Sequence, residues 1–475
     1  MAGRFLSLFK PIARAIPEIK APERRVSFNE KIFWTALVLI IYLVMSEIWL
    51  VGIPTTQIQQ LAPLSIIFAS SRGKLTELGI GPIVTAGLIL QLLVGSAMID
   101  CDMSKPEDRG LFTTASKVFS IILTGVQASA YIIGGMYGAL LGTTAIIIFL
   151  QLLAAGIIIM LLDELVQKGW GFGSGISLFI MAGVAQAIFW QCFSPGTGLF
   201  VGALTLVFAG NEPNALTTWI FGGGAYPSLL GFIATIAAFL IIIYMEGVRV
   251  ELPLSYAGYK GFRSRYPIKL LYVSNLPVIF ASALFANVYL FSQIFWNMNG
   301  QPAPGRNFWL DLLGQYQWIT PQGSTQATPE AVGGLVYYVT SPHSLANVIA
   351  RPDKAFGYLG ILTVFCVIFS LTWLEVGGLG ASTVSKQLVD AGMQIPGYRR
   401  SGKAIESILK RYIPTVTVLG GIIVALVAGI SDFFGVFGSG MGILLSVGIV
   451  YQYYEILMQE RAAEMYPAFR RVFGE

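Results

Sequence analysis

The six residues GPIVTA at positions 81–86 open one apolar segment of this chain, and LPVIFA at positions 276–281 opens another. A second matched pair follows in the same order, with GSG at positions 173–175 and again at 438–440. Glycine and proline are frequent in membrane helices, so a single match would carry little weight. Two matches in the same order indicate an internal duplication.

Ten apolar runs of about 20 residues, the length that crosses a bilayer, contain these strings. GPIVTA and LPVIFA lie in the second and seventh runs, and the GSG strings lie at the fifth and tenth. Because each half has an odd number of runs, the halves must cross the membrane in opposite directions. An inverted repeat places the functional path between the halves, near the membrane midplane. The runs are 31–51, 80–99, 113–137, 142–162, 174–194, 228–246, 274–296, 356–376, 413–431 and 436–457.

The composition of the 475 residues agrees with a polytopic membrane protein. Charged residues make up 12% and hydrophobic residues 55%, whereas soluble proteins have about 25% charged residues. This balance excludes a cytosolic enzyme and a DNA-binding domain. One histidine and three scattered cysteines cannot form a zinc, haem or iron–sulfur site, so we expect no cofactor and no metal.

The lysines and arginines are distributed very unequally between the two sets of connections. All but five of the 30 lie in the termini and in the connections on the same side as the termini. The positive-inside rule therefore predicts that both termini are cytosolic. The five exceptions are Arg72, Lys74, Arg306, Arg351 and Lys354.

The stretch between Pro54 and Gly79 is too polar and too rich in small residues to face lipid, and its apolar part, Leu64 to Ala69, is too short to cross. Such backbone is tolerated at membrane depth only inside protein or beside water, so we favour a re-entrant segment over a surface loop.

We predict an all-α fold of ten transmembrane helices in two inverted, pseudo-symmetric halves of five. Phe5, Phe9, Ile12 and Ile16 share one helical face beside basic residues, which is typical of an interfacial helix. The predicted parts are a cytosolic amphipathic N-terminal segment 1–30, a first half 31–195, an external connection 196–227, a second half 228–458 with cytosolic loops 247–273 and 377–412 and external loop 297–355, and a cytosolic tail 459–475.

Four strings resemble the SecY family, the channel subunit of the Sec protein translocon, in its archaeal and eukaryotic form. They are YPIKLLYVSNLPVI (266–279), GIGPIVTAG (79–87), PIVTAGLILQLLVGS (82–96) and KRYIPTVTVLGG (410–421). The resemblance extends over essentially the whole chain. It implies an hourglass pore with an apolar ring at its waist and a plug helix. Such a channel, which is not an enzyme, passes unfolded secretory polypeptides and releases transmembrane segments sideways through a lateral gate.

Matching the motifs to the family places the ring on six aliphatic residues, and the repeat supports this placement. Val84 and Ile279 each follow the shared proline by two residues, and Ile180 and Leu445 each follow the last glycine of GSG by five. An apolar constriction loses its water and so blocks ions without a charge. The expected ring is Ile80, Val84, Ile176, Ile180, Ile279 and Leu445.

The resemblance also implies residues for the plug, the gate and a docking surface. The plug corresponds to Ala62, Pro63, Leu64, Ser65, Ile66, Ile67, Phe68, Ala69, Ser70, Ser71 and Arg72. The polar gate positions correspond to Gln91, Gln127 and Asn287. Ribosome docking corresponds to Arg263 and Arg265, in a loop whose alternation predicts two short strands, and to Arg399 and Arg400 in the next long loop. Positive-inside bias alone would also put basic residues in these loops.

The partners that the resemblance implies are a SecE-like small subunit, a Sec beta small subunit in the position of SecG, and the translating ribosome. Nascent polypeptides, signal sequences and membrane lipid complete the set, without DNA. The expected location is the cell membrane, or the endoplasmic reticulum membrane in a eukaryote.

Two other classes of membrane protein remain as alternatives. A secondary transporter of a small solute also has inverted repeats, but the acidic residues here fall at predicted span ends rather than at the midplane, where a coupled carrier keeps them. An intramembrane protease would need a histidine or an aspartate pair at depth, and the predicted spans contain neither.

Overall fold

The computed structural model describes residues 11, 17–24, 26–53, 73–95, 98–99, 101, 106–135, 137, 142–195, 198–209, 215–221, 227–256, 263–271, 276–300, 305, 307–319, 328–390, 393–394 and 402–465. The predicted plug 62–72, most of the N-terminal segment, and Arg399 and Arg400 lie outside these residues.

Within its described residues, the first half contains five helices: α1 (Phe28–Met45), α2 (Gly81–Gly95), α3 (Pro106–Ile133), α4 (Gly142–Leu165) and α5 (Gly175–Phe193). A capping box starts α1, because the Ser27 hydroxyl accepts from the Glu30 amide while the Glu30 carboxylate accepts from the Ser27 amide. A π-helical turn, Val166–Trp170, continues α4. Asp163 and Glu164, expected at the end of the fourth span, therefore lie inside a longer helix.

Two short helices join the halves, and five long helices form the second half. The connection consists of a π-helical turn, Leu199–Ala203, that runs directly into α6 (Leu204–Ala209), followed by α7 (Ala215–Phe221). The long helices are α8 (Leu229–Gly247), α9 (Leu276–Met298), α13 (Pro352–Val376), α15 (Gly402–Phe433) and α16 (Gly440–Met465). Between them lie α10 (Phe308–Leu313), α11 (Gly334–Val339), α12 (Leu345–Ala350) and α14 (Ala381–Asp390).

Five short strands form two sheets outside the spans. They are β1 (Arg249–Tyr256), β2 (Arg263–Lys269), β3 (Gln315–Ile319), β4 (Thr328–Gly333) and β5 (Met393–Gln394). The order in the larger sheet is β2-β1-β5, and β3 pairs with β4 in a separate hairpin.

Nine helices in the described part of the chain are long and apolar enough to span a membrane. The tenth, α2, has 15 residues and a length of about 22 Å, which is less than the roughly 30 Å of the hydrocarbon core. Just before α2, an isolated β-bridge pairs Lys74 with Trp49, which follows α1. Ten helices at the predicted places confirm the fold class.

The inverted repeat is visible in how matched helices begin. Proline is the second residue of both α2 and α9, and the last glycine of GSG is the first residue of both α5 and α16. The first glycine of each GSG has a left-handed backbone, with φ +66° at Gly173 and +76° at Gly438. Glycine adopts this conformation without a steric cost.

The two halves pack against each other along two seams. Helix α5 packs on α16, and on the other side α2 and α3 pack on α9 while α2 also packs on α13. Lys31 at the start of α1 pairs with Glu460 of α16 at 2.5 Å. The beginning of the first span and the end of the last therefore lie on one face, called here the termini face. Lys269 of β2 pairs with Glu455 at 3.3 Å, so the larger sheet lies on that face too.

Candidate pore constriction and gate

The six residues expected to form the ring lie together in one hydrophobic cluster of the structure. Ile80, Val84, Ile180 and Leu445 are buried in it, and Ile176 and Ile279 pack against it. Ile80 and Leu445 have no exposed surface. The six residues come from α2 or the position just before it, α5, α9 and α16, so matched positions of the repeat meet at the interface between the halves.

Each of the six expected ring residues lies within the first two turns of its helix or, for Ile80, directly before the helix. The Ile80 carbonyl accepts from the amides of Ile83 and Val84 and so starts α2. Ile176 and Ile180 are in the first two turns of α5, and Leu445 is in the second turn of α16. The position of the cluster thus depends on where these helix N-termini are held.

A buried carboxylate fixes the N-terminus of α5. Asp163 Oδ1 accepts a 2.9 Å hydrogen bond from the Ile176 amide, and Gln167 donates to Asp163 Oδ2 at 2.8 Å. A Cβ at Gly175 would come 2.6 Å from the Asp163 Cα, so only glycine fits between α5 and α4. Asp163 therefore holds Ile176 in place from the preceding span.

The second half contains the matching arrangement. Asp432 Oδ1 accepts a 2.6 Å hydrogen bond from the Gly440 amide, and the Tyr358 hydroxyl donates to Asp432 Oδ2 at 3.0 Å. A Cβ at Gly440 would collide with the carbonyl oxygen of Ala428 in α15. The sequence located both aspartates near span ends but gave no signal that they cap the helices carrying the ring.

A cavity of about 630 Å³ opens between the halves and ends at the ring. Val84, Ile176 and Ile279 contribute to its apolar end, and Glu18 and Lys168 contribute to its polar end. Since Glu18 precedes α1, the cavity opens toward the termini face. A cavity with an apolar end at these residues and a polar end toward the termini face corresponds to one funnel of an hourglass.

Ion pairs line the polar end of this cavity. Lys168 pairs with Glu164 at 2.8 Å and with Glu18 at 2.6 Å, and Lys117 pairs with Glu164 at 2.5 Å. The hydrogen bond from Lys168 and the nearby charge of Lys117 lower the pKa of the Glu18 carboxyl despite partial desolvation. Glu164 is therefore paired with two lysines, Lys117 and Lys168.

Two of the three amides predicted for the gate, Gln127 and Asn287, meet at the seam between α2, α3 and α9. Asn287 Nδ2 donates to Thr85 Oγ1 at 3.2 Å and to the Ala283 carbonyl at 2.8 Å, and its Oδ1 lies 3.5 Å from Gln127 Nε2. The last contact is at the weak limit for a hydrogen bond. Sequence reasoning missed Thr85, which lies inside the GPIVTAG motif.

The structure does not place Gln91 with the other two amides. Its Oε1 is buried without a hydrogen-bond partner in the described part of the chain. Gln91 borders both the cavity and a narrow gap lined by Phe280, Phe369 and Trp373. It therefore faces the seam between α2, α9 and α13 rather than the contact made by Asn287.

The two loops expected to dock a partner share one sheet. Arg263 pairs in register with Ser255, and Arg265 with Pro253, in the antiparallel β1–β2 hairpin. Strand β5 of the second loop pairs with β1 at Ser255 and Tyr256. Strand β1 therefore lies between β2, which contains Arg263 and Arg265, and β5, which precedes the segment with Arg399 and Arg400.

Comparisons with known proteins match nearly the whole chain. The SecY family model matches residues 74–454, and the model described as the plug domain of Sec61p matches residues 40–73. The protein translocase subunit SecY of Pyrococcus furiosus is 40% identical over 98% of this chain and 98% of its own length. A solved structure described as a protein conducting channel superimposes with a TM-score of 0.80 at 38% identity, covering 97% of this chain and 98% of that one. Sec61 in the canine ribosome-channel complex from the endoplasmic reticulum gives 0.77 at 37% identity, with coverages of 97% and 98%.

The ten-helix fold, the apolar cluster between its halves and these matches define a class, the protein-conducting membrane channels. The chain belongs to the SecY family, as the motifs predicted. It is a translocation channel and not an enzyme, and the small-solute transporter considered from the sequence is not supported.

Proposed function

We propose that Ile80, Val84, Ile176, Ile180, Ile279 and Leu445 form the constriction that seals this channel at rest. The observation that carries the proposal is their convergence into one buried cluster at the end of the cavity between the halves. Aliphatic walls expel water and so stop ions. They also offer a passing polypeptide no donor or acceptor that could hold it.

Resting ion conductance in planar bilayers tests this proposal. Ile176→Asn and Ile279→Asn place an amide where the cluster borders the cavity, so we expect each to let water and ions through. Ile176→Val, which stays aliphatic, is the matched control and should stay closed. Closed channels for every polar variant of the six residues would remove them from the constriction.

The plug of this channel is proposed to be Ala62 to Arg72. The family model for a plug domain covers this stretch, and its small residues suit a helix that packs and leaves. Deleting the stretch should raise resting conductance while the thermal unfolding temperature changes little. An unfolded protein with no rise in conductance would make the segment purely structural.

Sideways release of transmembrane segments is proposed to occur at the seam where α2 and α3 meet α9 and α13. Among the described residues, the polar contacts across this seam are the bond from Asn287 to Thr85 and its long contact with Gln127. A buried amide contact in a membrane contributes about 0.6–2 kcal/mol. An apolar signal helix can therefore compete with it.

On orientation and partners, we propose that the termini face is cytosolic in a cell membrane or an endoplasmic reticulum membrane. The excess of basic residues on that face and the sheet formed by the two docking loops support binding of a translating ribosome, as in the related canine complex. A SecE-like subunit and a Sec beta subunit follow from the family resemblance. Co-purification from native membranes tests all three, and a preparation with none of them would contradict this part of the proposal.

A further inference from the structure

The connection between the two halves is unusually poor in charge. From Gly169 to Met245 the sequence contains one charged residue, Glu212. That interval contains the spans α5 and α8 and the whole connection between them. Because the first half crosses the membrane five times, this connection lies on the side opposite the termini face. The other long connection on that side contains Arg306, Asp311, Glu330, Arg351, Asp353 and Lys354. A loop bathed in water has no reason to avoid charge in this way.

Large apolar side chains of the connection are exposed. Phe208 near the end of α6 is 81% exposed, and Phe221 at the end of α7 is 66% exposed. Phe200, Val201 and Leu216 are also exposed. Apolar patches of this kind in contact with water mark interaction surfaces.

Aromatic contacts connect this exposed surface to the lipid-facing surface of the spans. The ring centres of Phe189 and Phe193 in α5 are 5.2 Å apart, and those of Phe193 and Phe200 in the connection are 5.8 Å apart. Phe200 in turn lies 5.4 Å from Phe232 at the start of α8. Phe189 and Phe193 are exposed on a membrane-spanning helix, where lipid is the surrounding medium. The apolar surface of the connection continues that surface without a break at Phe200.

The opposite side of the connection is fastened to the helix bundle. Leu199 is fully buried in a cluster with Cys192 and Phe437, and the Trp219 indole N–H donates to the Leu199 carbonyl at 3.3 Å. The connection is therefore held by one side and presents its other apolar side outward.

The length of α5 gives the depth of the connection. Phe193 follows Ile180 by thirteen residues, or about 20 Å of helix. With the ring near the midplane, this places Phe193 beyond the hydrocarbon edge at about 15 Å and within the headgroup layer, which ends near 20–22 Å. This step, unlike the aromatic contacts, rests on the proposed position of the ring.

We infer that the connection formed by Leu199–Ala209 and α7 lies in the headgroup layer of the leaflet opposite the termini face and binds phospholipid with its exposed apolar side. Its Phe208, Leu216 and Phe221 insert among the upper acyl chains, and Trp219 lies at the level where indoles favour the interface. The two halves of the channel are then joined by a lipid-anchored segment.

Nitroxide accessibility in phosphatidylcholine nanodiscs tests the inference. Cysteine is introduced singly at Phe208 or Phe221, in a chain whose Cys101, Cys192 and Cys366 are replaced by alanine, and is spin-labelled. Collision rates are then measured with oxygen, which concentrates in lipid, and with a neutral nickel chelate, which stays in water. Labels at Leu240, 61% exposed on α8, and at Arg24, whose side chain is 77% exposed, serve as the lipid and water controls.

At both connection labels, the ratio of the oxygen collision rate to the nickel collision rate should be several-fold above that at Arg24 and below that at Leu240. A ratio like that of Arg24 would show a hydrated loop and overturn the inference. Low collision rates with both reagents would show a protein surface over the site, such as a second copy of the chain, and would also overturn it. None of these results depends on the ring, since a failure of the ring proposal appears in conductance instead.

Discussion

Asp163 and Asp432 occupy equivalent places in the two inverted halves, and each accepts a hydrogen bond from the backbone at the start of the helix that follows it. Asp163 accepts from the Ile176 amide and Asp432 from the Gly440 amide. The first amides of a helix have no partner within the helix, and the helix dipole favours a negative charge beside them. In both halves, an aspartate of the preceding helix therefore holds the start of the helix that carries residues proposed for the constriction.

Replacing Asp432 by alanine should both destabilise the protein and open the pore. The Gly440 amide would be left buried without its partner, at a cost of about 1–3 kcal/mol, and the first turns of α16 with Leu445 would lose their anchor. Asp432→Asn keeps an acceptor oxygen and should largely restore both properties. Thermal unfolding and resting conductance are measured together, and Asp163→Ala with Asp163→Asn should show the same pattern. A closed pore in both alanine variants would limit the aspartates to stability.

Asn287→Ala should make the gate easier to open. The variant loses the bond to Thr85 and the long contact with Gln127. Each contact stabilises the closed gate by about 0.6–2 kcal/mol. Translocation of reporters with signal sequences of graded hydrophobicity should therefore extend to less apolar signals. Asn299→Ala is the control, since the exposed Asn299 amide donates to the nearby Phe295 carbonyl at the end of α9. Equal signal thresholds for Asn287→Ala and the parent would contradict the gate assignment.

Reversing the charge of the docking arginines should weaken ribosome binding and flatten its salt dependence. Each cation that neutralises a phosphate contributes about one unit to the log–log slope of affinity against salt. Arg263→Glu with Arg265→Glu, and separately Arg399→Glu with Arg400→Glu, are tested by co-sedimentation across a salt series. Arg461→Glu reverses one exposed charge of α16 outside both loops and serves as the control for charge reversal elsewhere on the chain. If both pairs kept the parent affinity and slope, these arginines would serve membrane orientation alone.

His343 should make the protein less stable in mild acid. Burial lowers the pKa of His343 below its ordinary value of 6.5, outweighing the opposite effect of Asp432, while Lys354 lowers it further. The unfolded chain then binds the proton at a higher pH than the folded one. The stability contribution is therefore complete above about pH 6.5 and is lost as the pH falls toward the folded pKa.

The comparison is between the parent and His343→Asn, because asparagine tolerates the left-handed backbone found there, with φ +49°. Thermal unfolding is followed between about pH 8 and 5. The parent should lose more stability in acid than the variant. Parallel curves would show that the imidazole is not held neutral by the fold.

The sequence was sufficient for the fold because hydropathy and the internal repeat are patterns that recur along the chain. Hydropathy located ten helices, and the shared proline and GSG strings fixed the equivalent positions, which the structure brings into one cluster. The cap formed by Asp163, the Thr85 contact of Asn287 and the extension of α4 to Trp170 were not predictable. They depend on which atoms become neighbours after folding, and no spacing along the chain encodes that.

The sheet that joins β1, β2 and β5 has a mechanical consequence. Both of its loops belong to the second half of the chain, one between α8 and α9 and the other between α13 and α15. A partner that binds this sheet contacts the second half of the channel and leaves the first half free to move. The second half would then stay fixed on the partner, and the seam would open by movement of the first half relative to it.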